Sequence, residues 1–252
     1  MLRKKVLSIH MKRSGISKMK KICVIGANGF VGRAICEEVE KREGLQLIKI
    51  TREDNMESLC LESDLIIHSA NSSRRFFANQ NRLLDLSETM EKMLNIIKIS
   101  CDKKIVLIST VSSRVQQDTP YGSHRRACEL LLNHEKDLIF RLGDMFGGNN
   151  KKGYLFDIIE GNNVYASAKT KCAYVDVRYN AFKIVELMEE KTGLVELGAR
   201  NSIELEEIAK RINSKCKFVG GLATQLPVEV PNDAPSANLV LKYIEKQLRN
   251  KK

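Results

Sequence analysis

The chain has 252 residues, of which 43% are hydrophobic and 29% charged, enough for one sizeable core with or without a small lobe. No apolar run approaches the roughly 18 residues that a membrane span needs, and none follows the basic start as a secretory signal requires, so a cytoplasmic protein without a membrane partner is expected. The net charge of +11 invites a nucleic-acid partner, but residues 1–20 hold seven cations (Arg3, Lys4, Lys5, Lys12, Arg13, Lys18 and Lys20) and no acid, so the rest carries only +4.

The basic excess is therefore largely a property of a tail. Residues 1–18 read as a disordered leader ahead of an internal start at Met19, and no nucleic-acid partner is expected. The seven cysteines are scattered and form no C-x-x-C pair, as for reduced thiols buried as small core residues. The four histidines show no ligand spacing, so no metal is expected.

Beyond the leader, apolar runs alternate with helical patterns. Strands are predicted at residues 21–25, 45–50, 64–69, 104–109 and 138–142, with helices at 30–42, 81–100 and 121–134 between them. Strands that are apolar on both faces and spaced by helices require a buried parallel sheet with right-handed crossovers. The last third is less regular. Residues 180–190, 203–212 and 237–248 read as helices, and the proline- and glycine-rich stretch 220–235 as loop.

The first strand runs into Gly26-Ala-Asn28-Gly29-Phe30-Val31-Gly32 and then into an amphipathic helix. The first glycine permits a sharp turn, the second a close approach of backbone N–H groups to a pyrophosphate, and the third tight packing of helix on strand. The helix N-terminus adds unpaired N–H groups and its positive dipole end. In this strand–turn–helix context the motif points to a nicotinamide dinucleotide. Nineteen residues after Gly32 comes Thr51, then Arg52. A guanidinium there matches the 2′-phosphate of NADP, whereas Glu53 or Asp54 would hold the ribose of NAD. NADP is the expected cofactor, with NAD as the alternative.

Four further segments follow in order: Asp64-Leu-Ile-Ile-His-Ser69-Ala70, Ile108-Ser109-Thr110, Tyr121-Gly-Ser-His-Arg125-Arg-Ala-Cys-Glu129, and Arg141-Leu142-Gly-Asp144-Met-Phe-Gly147. Together with the glycine turn they resemble the extended short-chain dehydrogenase/reductases, in the NAD-dependent epimerase/dehydratase branch. The likeness spans Met19 to about Ala181, with a weaker echo to about Ile212. It implies a Rossmann-type, doubly wound α/β sheet over residues 19–147, completed by about 174–190. A small C-terminal substrate-binding lobe would come from the rest of 148–252, about 148–173 and 195–252.

The resemblance implies catalytic roles for Tyr121 as acid/base, Arg125 as its cation and Thr110 as a hydroxyl on the reacting oxygen. Cofactor contacts fall on Gly26, Asn28, Gly29, Phe30, Val31, Gly32, Arg52, Ser69, Ala70, Asn71 and Leu142, and substrate contacts on Asp144 and Ser112. The substrate implied is a nucleotide sugar undergoing hydride transfer at a sugar carbon, by an oxidoreductase or epimerase of polysaccharide biosynthesis. A homodimer through residues 87–99 and 121–133 is also implied.

The departures from the family pattern are specific. Its catalytic lysine falls on Arg125, its Asn-Val-x-Gly-Thr segment reads Asp85-Leu-Ser-Glu-Thr89, and its Val-Asp-Asp reads Val175-Asp176-Val177. Only about a dozen residues separate Arg52 from Asp64, so the strand that usually covers adenine is absent. Tyr121 follows Thr110 by only eleven positions, a short link that resembles nucleotide-sugar reductases of capsule synthesis. Arg125 lies one helical turn after Tyr121, and a fixed cation at about 5 Å would favour the phenolate by roughly 3 kcal/mol at an effective dielectric near 20. Loss of the lysine leaves a non-catalytic dinucleotide-binding regulator as the alternative function. Ser123 and His124 form no triad, since adjacent helical residues point apart, and His68 reads as a satisfied core histidine.

Overall fold

The alternation read from the sequence is built as follows. Strand β1 (Lys20–Ile25) is followed by α1 (Phe30–Val39), β2 (Leu45–Ile50), α2 (Met56–Leu61), β3 (Leu65–His68), α3 (Arg75–Gln80), α4 (Arg82–Ser100), β4 (Lys104–Thr110), α5 (Ser112–Val115), α6 (Pro120–Leu130) and β5 (Leu138–Leu142). The chain continues with β6 (Met145–Phe146), α7 (Tyr154–Glu160), β7 (Asn163–Val164), β8 (Lys171–Cys172), β9 (Val175–Asp176), α8 (Val177–Leu187), β10 (Gly193–Leu197), β11 (Ile203–Glu204), α9 (Leu205–Arg211), β12 (Lys217–Phe218) and α10 (Leu239–Arg249). The structure, a computed structural model, describes residues 19–148 and 150–249. The leader read over residues 1–18 lies outside the described residues.

Six strands form one parallel sheet in the order β10-β5-β4-β3-β1-β2. The apolar runs are continuous because alternate residues feed two cores. Ile22, Val24, Leu65, Ile67, Val106 and Ile108 face α1 and α8. Cys23, Ile25, Ile66, Ile105, Leu107 and Ile139 face α4 and α6. Each such fully buried aliphatic side chain contributes about 1.5–3 kcal/mol relative to exposure.

The chain leaves β1 outward to β2, then returns to β3 on the other side of β1. That reversal makes a topological switch point, and the crevice at the carboxyl ends of β1 and β3 is where such sheets take ligands. The short helix α2 connects β2 to β3, so no strand lies outside β2.

A second, smaller core joins α7, α9 and α10 through Leu155, Ile158, Leu205, Ile208, Val240 and Ile244. Several boundaries differ from expectation. Residues 193–197 form β10, the edge strand beside β5, and so belong to the main sheet and not to the lobe. Helix α8 starts at Val177, three residues early, because the Asp176 side chain accepts from Arg178 N and caps it. Residues 203–212 are divided between β11 and α9, because Ile203 and Glu204 pair with β8. All seven cysteines are free, and five are buried.

Candidate active site and dinucleotide cleft

The glycine turn has the geometry its motif demands. Gly26 sits at φ +87°, and a Cβ there would meet the Ala70 backbone at 2.9 Å. A Cβ on Gly32 would lie 2.1 Å from the Gly26 carbonyl oxygen, so α1 packs directly on the turn only because that side chain is missing. Gly29 is the N-cap of α1 and brings no side chain to the helix end. The first N–H groups of α1, at Phe30, Val31 and Gly32, thus have no cap, and a phosphate would satisfy them. The N–H groups of Gly26 and Ala27 bond Ile50 O, which ties the turn to the end of β2; Asn28 follows on the turn.

At that strand end the two acids are engaged by Thr51. Asp54 accepts from Thr51 N and from Thr51 Oγ1, each at 2.7 Å, and these bonds hold its carboxyl below the usual range. Glu53 lies 3.3 Å from the same hydroxyl. Arg52 is exposed and has no ion pair among the described residues. On the other side of the crevice, Ser69 N bonds Ile25 O, and Asn71 buries an amide oxygen with no hydrogen-bond partner among the described residues. Leu142, buried at the end of β5, pairs with Thr110 at the end of β4.

Helix α6 begins with Pro120 at its first turn, and Thr119 caps it by accepting from Gly122 N. Tyr121 is thereby fixed at the carboxyl edge of the sheet, almost fully buried. Arg125 comes one turn later, and its guanidinium carbon lies 4.7 Å from the Tyr121 ring centre. The expected proximity is present, but the charge is already engaged. Arg125 donates to both Asp85 carboxylate oxygens at 3.3 Å, to Thr89 Oγ1 at 2.7 Å and to Ser72 O at 2.6 Å. Both departures from the family pattern, at positions 85 and 125, therefore meet in one ion pair. A second guanidinium, that of Arg75, stands 5.6 Å from the same ring.

Thr110 Oγ1 lies 3.3 Å from both the N–H and the hydroxyl of Ser112. The structure does not bring Ser112 to the cleft surface. Its fully buried hydroxyl donates to Gln225 Oε1 at 2.6 Å. Gln225 belongs to the irregular strap 220–235, which Arg114 also holds through Leu226 O. Pro227 packs against Gly198, where a Cβ would come within 2.7 Å of it. Asp144 follows β5; burial pushes its carboxyl up, and Arg75 opposes this.

No family model matches the chain. It is 28% identical over 214 residues to UDP-2-acetamido-2,6-beta-L-arabino-hexul-4-ose reductase of Pseudomonas aeruginosa; the match covers 76% of this chain and 56% of that protein, so the chain spans little more than half the length of this curated relative. The solved UDP-N-acetylglucosamine 4-epimerase of Methanobrevibacter ruminantium, in complex with UDP-N-acetylmuramic acid, superposes with a TM-score of 0.73 at 16% identity, over 92% of this chain and 98% of that one. The dTDP-4-dehydrorhamnose reductase of Bacillus anthracis, in complex with NADP, superposes with a TM-score of 0.72 at 20% identity, over 90% and 98% of the two chains. The chain shares the Rossmann-type fold of these nucleotide-sugar epimerase and reductase structures. The likeness read from its five segments is borne out by these neighbours.

In that fold the crevice runs from the end of β2, past the α1 N-terminus, to Tyr121. A cavity of about 630 Å³ lies beside it. That cavity shares Asn28, Gly29 and Phe30 with the turn but opens toward α8 and α10, away from Tyr121 and Thr110. His124 Nδ1 lies 2.7 Å from Asp85 Oδ2, while Ser123 Oγ bonds Thr119 O, so no serine–histidine pair forms. His68 is a core histidine: it is fully buried, its Nδ1 accepts from Ala70 N at 3.4 Å, and Nε2 has no hydrogen-bond partner among the described residues. Burial, with Lys92 adding to it and Asn71 opposing it, pushes its pKa down to about 3.

The geometry adds three side chains that the motifs do not contain: Arg75, Lys92 and Gln225. Arg75 had a sequence signal, since two arginines interrupt a small polar loop after the third strand. Gln225 and Lys92 had none, because each reaches the site only through folding. No helix among the described residues is long and apolar enough to cross a membrane.

Proposed function

We propose that this chain binds NADP(H) and catalyses reduction, oxidation or epimerisation of a nucleotide sugar. One arrangement carries this reading: the uncapped α1 N-terminus and Tyr121 stand at the same carboxyl edge of the parallel sheet, on either side of its switch point. The glycine cradle, the open N–H groups and the orphaned Asn71 amide all fit a dinucleotide. The neighbours crystallised with NADP, NADPH or NAD support the same cofactor class. Arg52, free of acids that turn onto Thr51, favours the 2′-phosphate of NADP over the bare ribose of NAD.

The coenzyme would supply or accept the hydride. The chain's own residues then handle the oxygen. Tyr121 gives or takes its proton, Thr110 orients it by hydrogen bond, and Asp144 and the strap bound the sugar. The relatives named for UDP and dTDP sugars support this substrate class. A second reading, a non-catalytic NADP(H) binder, is favoured by one observation: the cation beside Tyr121 is already paired with Asp85.

The deciding experiment follows loss of NADPH absorbance with a panel of 4-keto nucleotide sugars. Turnover with any of them supports the enzyme; NADPH binding without turnover across the panel supports the binder. We also propose a homodimer through α4 and α6. Leu83, Leu84, Leu86, Leu94 and Leu130 are exposed on these neighbouring helices, and sedimentation as a monomer at micromolar concentration would exclude it.

A further inference from the structure

Lys92 lies on α4, and its ammonium donates to Ala70 O at 3.0 Å. Ala70 is the residue whose backbone Gly26 must clear, so this bond moors the ammonium beside the first glycine of the turn. A lysine ammonium has three N–H donors, and the carbonyl takes one. Two remain for another acceptor. Burial holds Lys92 below the ordinary lysine range; Glu88 opposes this, while Arg52 and Arg125 reinforce it.

Three cations thus surround the end of β3. Arg125 has Asp85 within ion-pair range, but among the described residues neither Lys92 nor Arg52 has a carboxylate that close. The nearby acids at the end of β2, Glu53 and Asp54, face Thr51. Positive charges gathered with no carboxylate in ion-pair range are stabilised together by an incoming anion. Their position identifies which anion. The open N–H groups that suit a pyrophosphate are at Phe30–Gly32, whereas Lys92 and Arg52 stand at the Gly26 end, where the ribose of the adenosine half would lie.

We propose that Lys92 and Arg52 together grip the 2′-phosphate of NADP(H), Lys92 from the α4 side and Arg52 from the β2 side, which makes Lys92 a determinant of cofactor choice. This rests on the reading that the crevice takes a nicotinamide dinucleotide.

The test is a fluorescence titration of the full chain with NADPH and, separately, NADH, in wild type, Lys92→Gln and Lys92→Arg. Lys92→Gln should weaken NADPH about tenfold and leave NADH within about twofold, and Lys92→Arg should keep most of the NADPH preference. An unchanged NADPH-to-NADH ratio in Lys92→Gln overturns the proposal, as does equal weakening of both, since mooring Ala70 alone would affect the two coenzymes alike. A wild-type chain that binds neither coenzyme defeats the dinucleotide reading itself, and the two failures are thereby told apart.

Discussion

Asp85 and Arg125, forty residues apart in sequence, form an ion pair whose side chains are 1% and 2% exposed. Where the family pattern has asparagine and lysine, this chain has a longer, forked cation and a matching carboxylate. The two exchanges compensate one another. His124 shares the same carboxylate, so Asp85 joins two residues of α6 to α4.

This coupling is measurable as stability. Removing one partner of a buried pair leaves an uncompensated charge, and Arg125→Met should cost about 3–5 kcal/mol. The double exchange Asp85→Asn with Arg125→Lys should cost at least about 1 kcal/mol less than the sum of the single exchanges. Urea unfolding of the four proteins checks this, and strictly additive values would mean that the two positions are independent.

Tyr121 is tested by its hydroxyl alone. Tyr121→Phe keeps the ring against Arg125 and removes the proton donor. Turnover of an accepted nucleotide sugar should fall by about 10²–10⁴, with NADPH affinity within about twofold. Unchanged turnover would remove Tyr121 from the chemistry.

His68 makes stability depend on pH. Its pKa of about 3 in the fold is depressed from an unfolded value near 6.5, so the unfolded chain binds the extra proton first. The stabilisation is complete above about pH 6.5 and falls as the pH drops from there toward 3, by about 1.4 kcal/mol per unit for one proton. Between pH 6.5 and 5 this amounts to about 2 kcal/mol. His68→Leu should flatten the decline in denaturant titrations by that amount; an identical slope in the variant would contradict it.

Gly32→Ala places a methyl group 2.1 Å from Gly26 O, so the turn must open. Coenzyme binding should be lost and the melting temperature lowered. Gly221→Ala, where nothing lies within 4 Å of the added Cβ, is the control and should stay within about 0.5 kcal/mol of wild type.

Legibility in the sequence followed local physics. Strands β2 and β5 were read with correct ends because each is an apolar run between clear breaks. Strand β10 was missed because its five residues include a glycine and Glu196, a charge tolerated there only because Arg114 and Arg141 reach it from elsewhere. Helices α2, α3 and α7 are two turns or less, too short for periodicity to register. Tyr121, Thr110 and the glycine turn stand in contiguous motifs, so their place at the carboxyl edge of the sheet was legible. The Asp85 pairing, the mooring of Lys92 and the Gln225 contact were not, since each joins segments brought together only by the sheet.

Gln225 holds the hydroxyl of Ser112 from a stretch of backbone with no strand ladder of its own. Any guest that takes this hydroxyl must evict an amide already seated there. Admission of such a guest and displacement of the resident amide would then be a single exchange, a contest between two hydrogen-bond partners.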